Sequence, residues 1–283
     1  MHALTVDVED YFHVSAFDGV VRMEDWPGCE SRVERNTEKM LNLLADAKVR
    51  ATFFILGWVA ERHPSIVKKI QGEGHEIASH GYGHQVLTAM TREQFRRDIR
   101  RAKGILEDLT GRPVLGYRAP SFTIMRETWW ALPILVQEGF VYDSSIFPIR
   151  HDRYGVPDAN PLCHRVETAT GPLWEIPPST LSVMGIRMPI AGGGYFRLIP
   201  YRLLRRLLRY AETAGNPLVM YFHPWELDPD QPRFNAPMLS RFRHYVNLHK
   251  TECRFIQLLR DFCFGPIRET IAPIRCLVRE QVA

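Results

Sequence analysis

The sequence is poor in several features that define large functional classes. Five cysteines, Cys29, Cys163, Cys253, Cys263 and Cys276, are scattered, odd in number and without a Cys-x-x-Cys pair. That argues against a disulfide framework or a structural zinc knuckle and for reduced thiols. No run of 18 or more apolar residues occurs, so no transmembrane helix is expected. The first residues, Met1-His2-Ala3-Leu4, enter a strand-like run that meets acids by residue 7. This leaves no room for the basic region and apolar core of a secretory signal, and we expect a cytoplasmic protein. Charge of one sign is scarce. The net charge is +4, too mild for a dedicated nucleic-acid surface and compatible with a neutral or anionic substrate. There is no internal repeat and no clear linker. What is present is 45% hydrophobic and 24% charged residues, a globular composition with ample core. The length of 283 residues suits one large α/β domain or two smaller ones.

Hydrophobic periodicity alternates between strand and helix. The hydrophobic N-terminal segment around Leu4-Thr5-Val6, ending in the acids Asp7, Glu9 and Asp10, reads as a buried strand, followed by a long polar stretch over about residues 13–36. Met40, Leu41 and Leu44 make a helical stripe with Thr37 as its cap. Ala51 to Gly57 is a β-branched and aromatic strand, 58–72 is helical, and His75 to His80 is a short strand. The clearest helix runs from Thr91 to Leu109, with Thr91 and Gln94 as a capping box and Phe95, Ile99, Ala102 and Leu106 at helical steps. A strand leads into Arg118-Ala119-Pro120-Ser121, and after a further helix another leads into Asp143. Residues 150–200 break the rhythm with Pro and Gly, including Gly192-Gly193-Gly194-Tyr195-Phe196. A helix over 200–214 and the strand from Pro217 to Phe222 restore it. A helix near 236–249 and a short strand at Cys253-Arg254-Phe255 follow. Polar residues sit repeatedly at strand C-terminal ends, the layout of a parallel α/β barrel whose chemistry lies at that face.

Those ends carry the candidate residues. His80 and His84 have the four-residue spacing of a helical metal site. The first strand delivers Asp7, Glu9 and Asp10, and His, His and carboxylate is a common open metal set. Period two puts Glu9 on the face of Asp7 if the strand continues, whereas a turn after Val8 would bring Asp10 to the ion; both stay open. Trp174, Tyr195, Phe196 and Trp225 are candidate sugar platforms.

Five motifs in order resemble the polysaccharide deacetylase family, the NodB-like carbohydrate esterases. They are Thr5-Val6-Asp7-Val8-Glu9-Asp10, Ser79-His80 through His84, Arg118-Ala119-Pro120-Ser121, Asp143-Ser144-Ser145 and Phe222-His223-Pro224. The resemblance spans about residues 3–263, and its nearest likeness is to the subgroup linked to bacterial exopolysaccharide and exosortase-type systems. One departure is that Val8 separates Asp7 from the next acid, where the family pattern has two adjacent aspartates. The resemblance implies a distorted (β/α) barrel with about seven parallel strands, as a catalytic domain over 1–265 with a basic tail over 266–283. It implies N-deacetylation of a hexosamine polysaccharide or its lipid-linked precursor, using a divalent metal. Zinc is the default, and cobalt, nickel or iron are possible. Asp7 would be the base, held ionised by Arg118. His223 would be the acid, with Asp143 on its far nitrogen, and the Ser121 backbone N–H would serve the oxyanion. The partner implied is an N-acetylated glycan, with peripheral contact to a membrane synthesis complex. The alternatives are a non-catalytic glycan-binding scaffold and a hydrolase of a small cyclic amide.

Overall fold

The computed structural model describes residues 1–282. Its strands are β1 (His2–Val8), β2 (Thr52–Ile55), β3 (Glu76–Ser79), β4 (Gly116–Tyr117), β5 (Tyr142–Asp143), β6 (His164–Thr168), β7 (Gly171–Glu175), β8 (Thr180–Val183), β9 (Ile186–Pro189), β10 (Val219–Phe222) and β11 (Phe264–Gly265). The order β10-β1-β2-β3-β4-β5-β7 is parallel throughout. β6 is antiparallel to β7, and β11 adds in parallel to β1. β1, β2 and β10 are buried at every residue, as strands covered on both faces must be, which explains their nearly unbroken apolar runs.

Helices cover the outside: α1 (Val33–Asp46), α2 (Gly57–Arg62), α3 (Pro64–Gly72), α4 (Arg92–Thr110), α5 (Ala131–Gln137), α6 (Gly193–Leu198), α7 (Tyr201–Glu212), α8 (Met238–Tyr245), α9 (Leu248–Asp261), α10 (Ile267–Thr270) and α11 (Ala272–Val282). The α4 capping box forms as its sequence predicts: Gln94 N donates to Thr91 Oγ1 and Thr91 N to Gln94 Oε1. α1 begins earlier than its stripe suggests, so Thr37 lies inside it rather than at its cap. The strand expected at Cys253–Phe255 is interior to α9. There Leu248, Thr251, Phe255 and Leu258 are buried at helical steps, and a three-residue segment is too short to report its own period. The expected tail folds back: Ile267, Ile271 and Ile274 are buried with Ala3 and Val219.

No strand pair joins β7 to β10, and irregular backbone closes the barrel instead. Ser179 N donates to Val219 O at 3.1 Å and Tyr221 N to Ala191 O at 2.9 Å, with a parallel bridge between Gly192 and Tyr221. The glycine run is therefore a seam. Gly192 sits at φ 147°, and a Cβ there would collide with the Tyr221 carbonyl oxygen. Gly192→Ala is expected to cost at least the ~1–3 kcal/mol typical of overpacking a tight site, read as a lower urea midpoint.

Candidate metal centre

β1 ends at Val8, and the two acids after it part company. Asp10 Oδ2 accepts from Arg32 N at 2.7 Å, Val33 N at 3.1 Å and Ser31 Oγ at 2.9 Å, so it caps the N-terminus of α1. That overturns Asp10 as a ligand candidate. Glu9 turns inward. One ligand atom each from Glu9, His80 and His84 fall within 4.8 Å of one another, all three residues being buried.

The histidines do not lie on a helix. His80 follows β3 directly, and His84 closes the next turn at φ 48°. Tyr82 N and Gly83 N both donate to the Asp98 carboxylate on α4, which pins the turn. His80 Nδ1 is 2.8 Å from Arg118 O. With the carbonyl accepting, Nδ1 carries the proton and Nε2 keeps a lone pair for an ion. Burial is the main cause that lowers the His80 pKa to about 4, so the ring is neutral, as a ligand must be. Burial alone would raise the Glu9 carboxyl, but the imidazoles of His84, His223 and His80 outweigh it and hold it below the usual range. Glu9 Oε2 lies 2.9 Å from His84 Nε2 yet forms no hydrogen bond. A buried carboxylate oxygen without a hydrogen-bond donor, beside the ring nitrogens of two histidines, fits a divalent cation.

Asp7 stands beside this cluster. Its Oδ1 accepts from Arg118 Nη1 at 2.7 Å, and the same nitrogen donates to Thr5 Oγ1 at 2.8 Å. Ser144 takes the rest of the guanidinium, through its carbonyl from Nε and its hydroxyl from Nη2. Arg118 is fully buried over the Phe54 ring.

On the other side, His223 follows β10. Its Nε2 is 3.4 Å from Glu9 Oε1 and 3.9 Å from Asp7 Oδ2. Its Nδ1 meets Glu226 Oε1 at 2.8 Å, and Glu226 Oε2 lies 3.2 Å from Arg197 Nε. Asp143, expected on that nitrogen, is elsewhere: it accepts from Ser145 Oγ at 2.5 Å and stands opposite Glu175 in the β5–β7 register. Burial pushes Asp143 up to about 6 and Glu175 well above the usual range, so the pair holds a proton. Ser145 Oγ in turn accepts from Ala119 N, so Asp143 anchors the Arg118 loop. Glu226 and Arg197 escaped sequence reasoning. The three-residue step from His223 to Glu226 was a visible signal for the first, but nothing local marks Arg197.

Residues 19–134 match the polysaccharide deacetylase family model, and residues 144–272 match a domain of unknown function, DUF3473. Over residues 19–134 this chain carries a polysaccharide deacetylase domain. A peptidoglycan-N-acetylglucosamine deacetylase of Bacillus cereus is 43% identical over 26% of this chain and 27% of its own length. A peptidoglycan deacetylase-like protein of Gibberella zeae is 31% identical over 48% of this chain and 40% of its own. The matches thus span about a quarter to two fifths of these curated relatives. A Mycobacterium smegmatis crystal structure described as a polysaccharide deacetylase shares the fold, with TM-score 0.63 at 21% identity, covering 97% of this chain and 90% of that one.

The candidate centre opens into a cavity of about 370 Å³ that Asp7, Glu9, His80, His84 and His223 line together with Ser121, Tyr195 and Trp225. Ser121 holds a left-handed φ of 52°, and its Oγ lies 2.6 Å from Ser15 Oγ. Trp225 is only 4% exposed and is a wall rather than an open platform. It stacks between His223 and His244, and its Nε1 donates to Glu9 Oε1 at 3.3 Å. Two expected platforms are not in the cavity. Phe196 is core, against Phe222 and Tyr201, and Trp174 lies on β7 opposite Arg165, away from the lining. In their place the cavity has Tyr154, stacked on His151 at 4.0 Å, with Phe122 and Tyr221 behind it.

Proposed function

We propose that the protein is a metal-dependent N-deacetylase acting on a hexosamine-containing polysaccharide or its lipid-linked precursor in bacterial exopolysaccharide biosynthesis. One observation carries the reading. A buried carboxylate held by arginine (Asp7–Arg118) and an imidazole held by carboxylate (His223–Glu226) flank the Glu9–His80–His84 cluster at the floor of one cavity. The match of residues 144–272 accords with the exopolysaccharide subgroup, and the free cysteines accord with a reducing, cytoplasmic setting.

Glu9, His80 and His84 would hold the ion, zinc by ligand type. Bound there, it would supply Lewis acidity, polarising an amide carbonyl and bringing the pKa of water to roughly 7. Asp7 takes the proton of the attacking water through Oδ2, because Arg118 occupies Oδ1. His223 Nε2 faces the cavity and gives a proton to the departing amine, with Glu226 fixing the ring through Nδ1. Ser121 lines the cavity, and its backbone N–H would meet the oxyanion.

The direct test is acetate release from N-acetylglucosamine oligomers before and after chelation, with Zn²⁺ returned. Chelation should abolish release and zinc should restore it. Absence of any bound metal in the purified protein would overturn the mechanism and favour a glycan-binding scaffold.

The pH profile tests the acid. Burial works against the His223 imidazolium, but Glu226, Glu9 and Asp7 outweigh it and hold the ring at about 8. A raised pKa keeps the acid form below that value, so kcat/KM should fall as pH rises toward and past about 8. A bound cation offsets part of the Glu9 charge and moves that limb lower. Glu226→Gln should move it lower still, measured with the metal-loaded enzyme.

A further inference from the structure

α8 is built inside out. Its inward residues are polar: Ser240 and His244 are buried, and His244 accepts the stack of Trp225 and meets Gln231 Oε1 at 2.6 Å. Three apolar residues face outward: Met238 is 86% exposed, Leu239 57% and Phe242 53%. Positions i, i+1 and i+4 fall on one helix face, so the three form one stripe. A soluble surface helix shows the opposite arrangement.

The surroundings of the stripe are basic. The segment from Arg233 to Arg243 contains three arginines and no acid. Arg233 and Arg241 are exposed, with no carboxylate in ion-pair range among the described residues, while Arg243 pairs with Asp152 at 3.1 Å. The helix also borders the site: Arg243 and His244 line the cavity, as does Leu198, itself 42% exposed.

We propose that the α8 stripe docks this protein on an anionic lipid bilayer, with the cavity mouth beside the headgroups. Three side chains are far from the ~800 Å² per partner that a stable protein interface buries. A membrane surface needs only a few inserted apolar groups backed by cations that favour anionic lipid. Charge and shape therefore favour the bilayer over a second copy of the chain. The docking surface follows from α8 alone and does not depend on the deacetylase chemistry, although it would present a lipid-linked glycan to the site.

The test is co-sedimentation of the full chain with vesicles of phosphatidylcholine, with and without phosphatidylglycerol. Binding is expected only to the anionic vesicles and should weaken as salt rises. Met238→Ser, Leu239→Ser and Phe242→Ser combined should reduce it at least tenfold, with the melting temperature unchanged. Phe242→Asp alone, in the same assay, gives a second reading if the triple variant misfolds, and Arg233→Gln with Arg241→Gln should lower the salt dependence. No binding by the wild type, or equal binding by the triple variant and Phe242→Asp, would overturn the proposal. So would a wild-type dimer in light scattering that Phe242→Asp dissociates, since the stripe would then belong to a second copy.

Discussion

Asp7→Asn is expected to lower kcat for acetate release by about 10²–10⁴-fold, the range that a positioned general base contributes. Metal content should not change. Asp7 lies outside the Glu9–His80–His84 cluster, and its Oδ1 is already engaged by Arg118. The amide nitrogen of asparagine cannot accept a proton, while its carbonyl oxygen can keep the Arg118 hydrogen bond and so limit the cost of leaving the buried guanidinium without its counter-charge. Metal analysis beside single-turnover kinetics separates the outcomes. A full loss of rate with full metal assigns the base to Asp7. Loss of both would mean that Asp7 holds the ion, and retention of both would remove it from the reaction.

Arg118→Met should be the most damaging substitution for stability, by about 3–5 kcal/mol, because it leaves a buried carboxylate without its partner. Arg118 and Asp7 are each about 1% exposed or less, and four hydrogen bonds tie the guanidinium to β1 and to Ser144. The loss is mainly the penalty of the stranded charge. Asp7→Asn combined with Arg118→Met should therefore recover part of the stability in urea unfolding while remaining inactive. Equal instability of the single and double variants would place the cost in lost packing over Phe54 instead.

The motif residues were legible because they sit at strand ends, where a change from an apolar run to a polar residue shows in the sequence. Asp7 and Asp143 fall in the last two residues of their strands, and His80, Arg118 and His223 directly follow theirs. Residues whose roles depend on contacts from elsewhere in the chain were not legible. Asp10 and Glu9 are neighbours of the same charge, and the choice between them was made by α1. Its N-terminal amides at Arg32 and Val33 claim Asp10 and leave Glu9 for the histidines. Asp143 was drawn away from His223 by Ser145 and Glu175, and Glu226 took its place.

The sequence by itself determined the alternation of strand and helix, the parallel barrel, and the face that would carry the chemistry. Those follow from local periodicity, and each segment reports its own. Only the tertiary structure decided which carboxylate faces the cluster, which acid holds His223, which aromatics line the cavity, and that α8 turns its apolar side outward. Each of these is a choice between chemically equivalent side chains. It is settled by hydrogen-bond donors and packing surfaces that lie up to about 200 residues away in the chain, as Trp225 and Glu9 do.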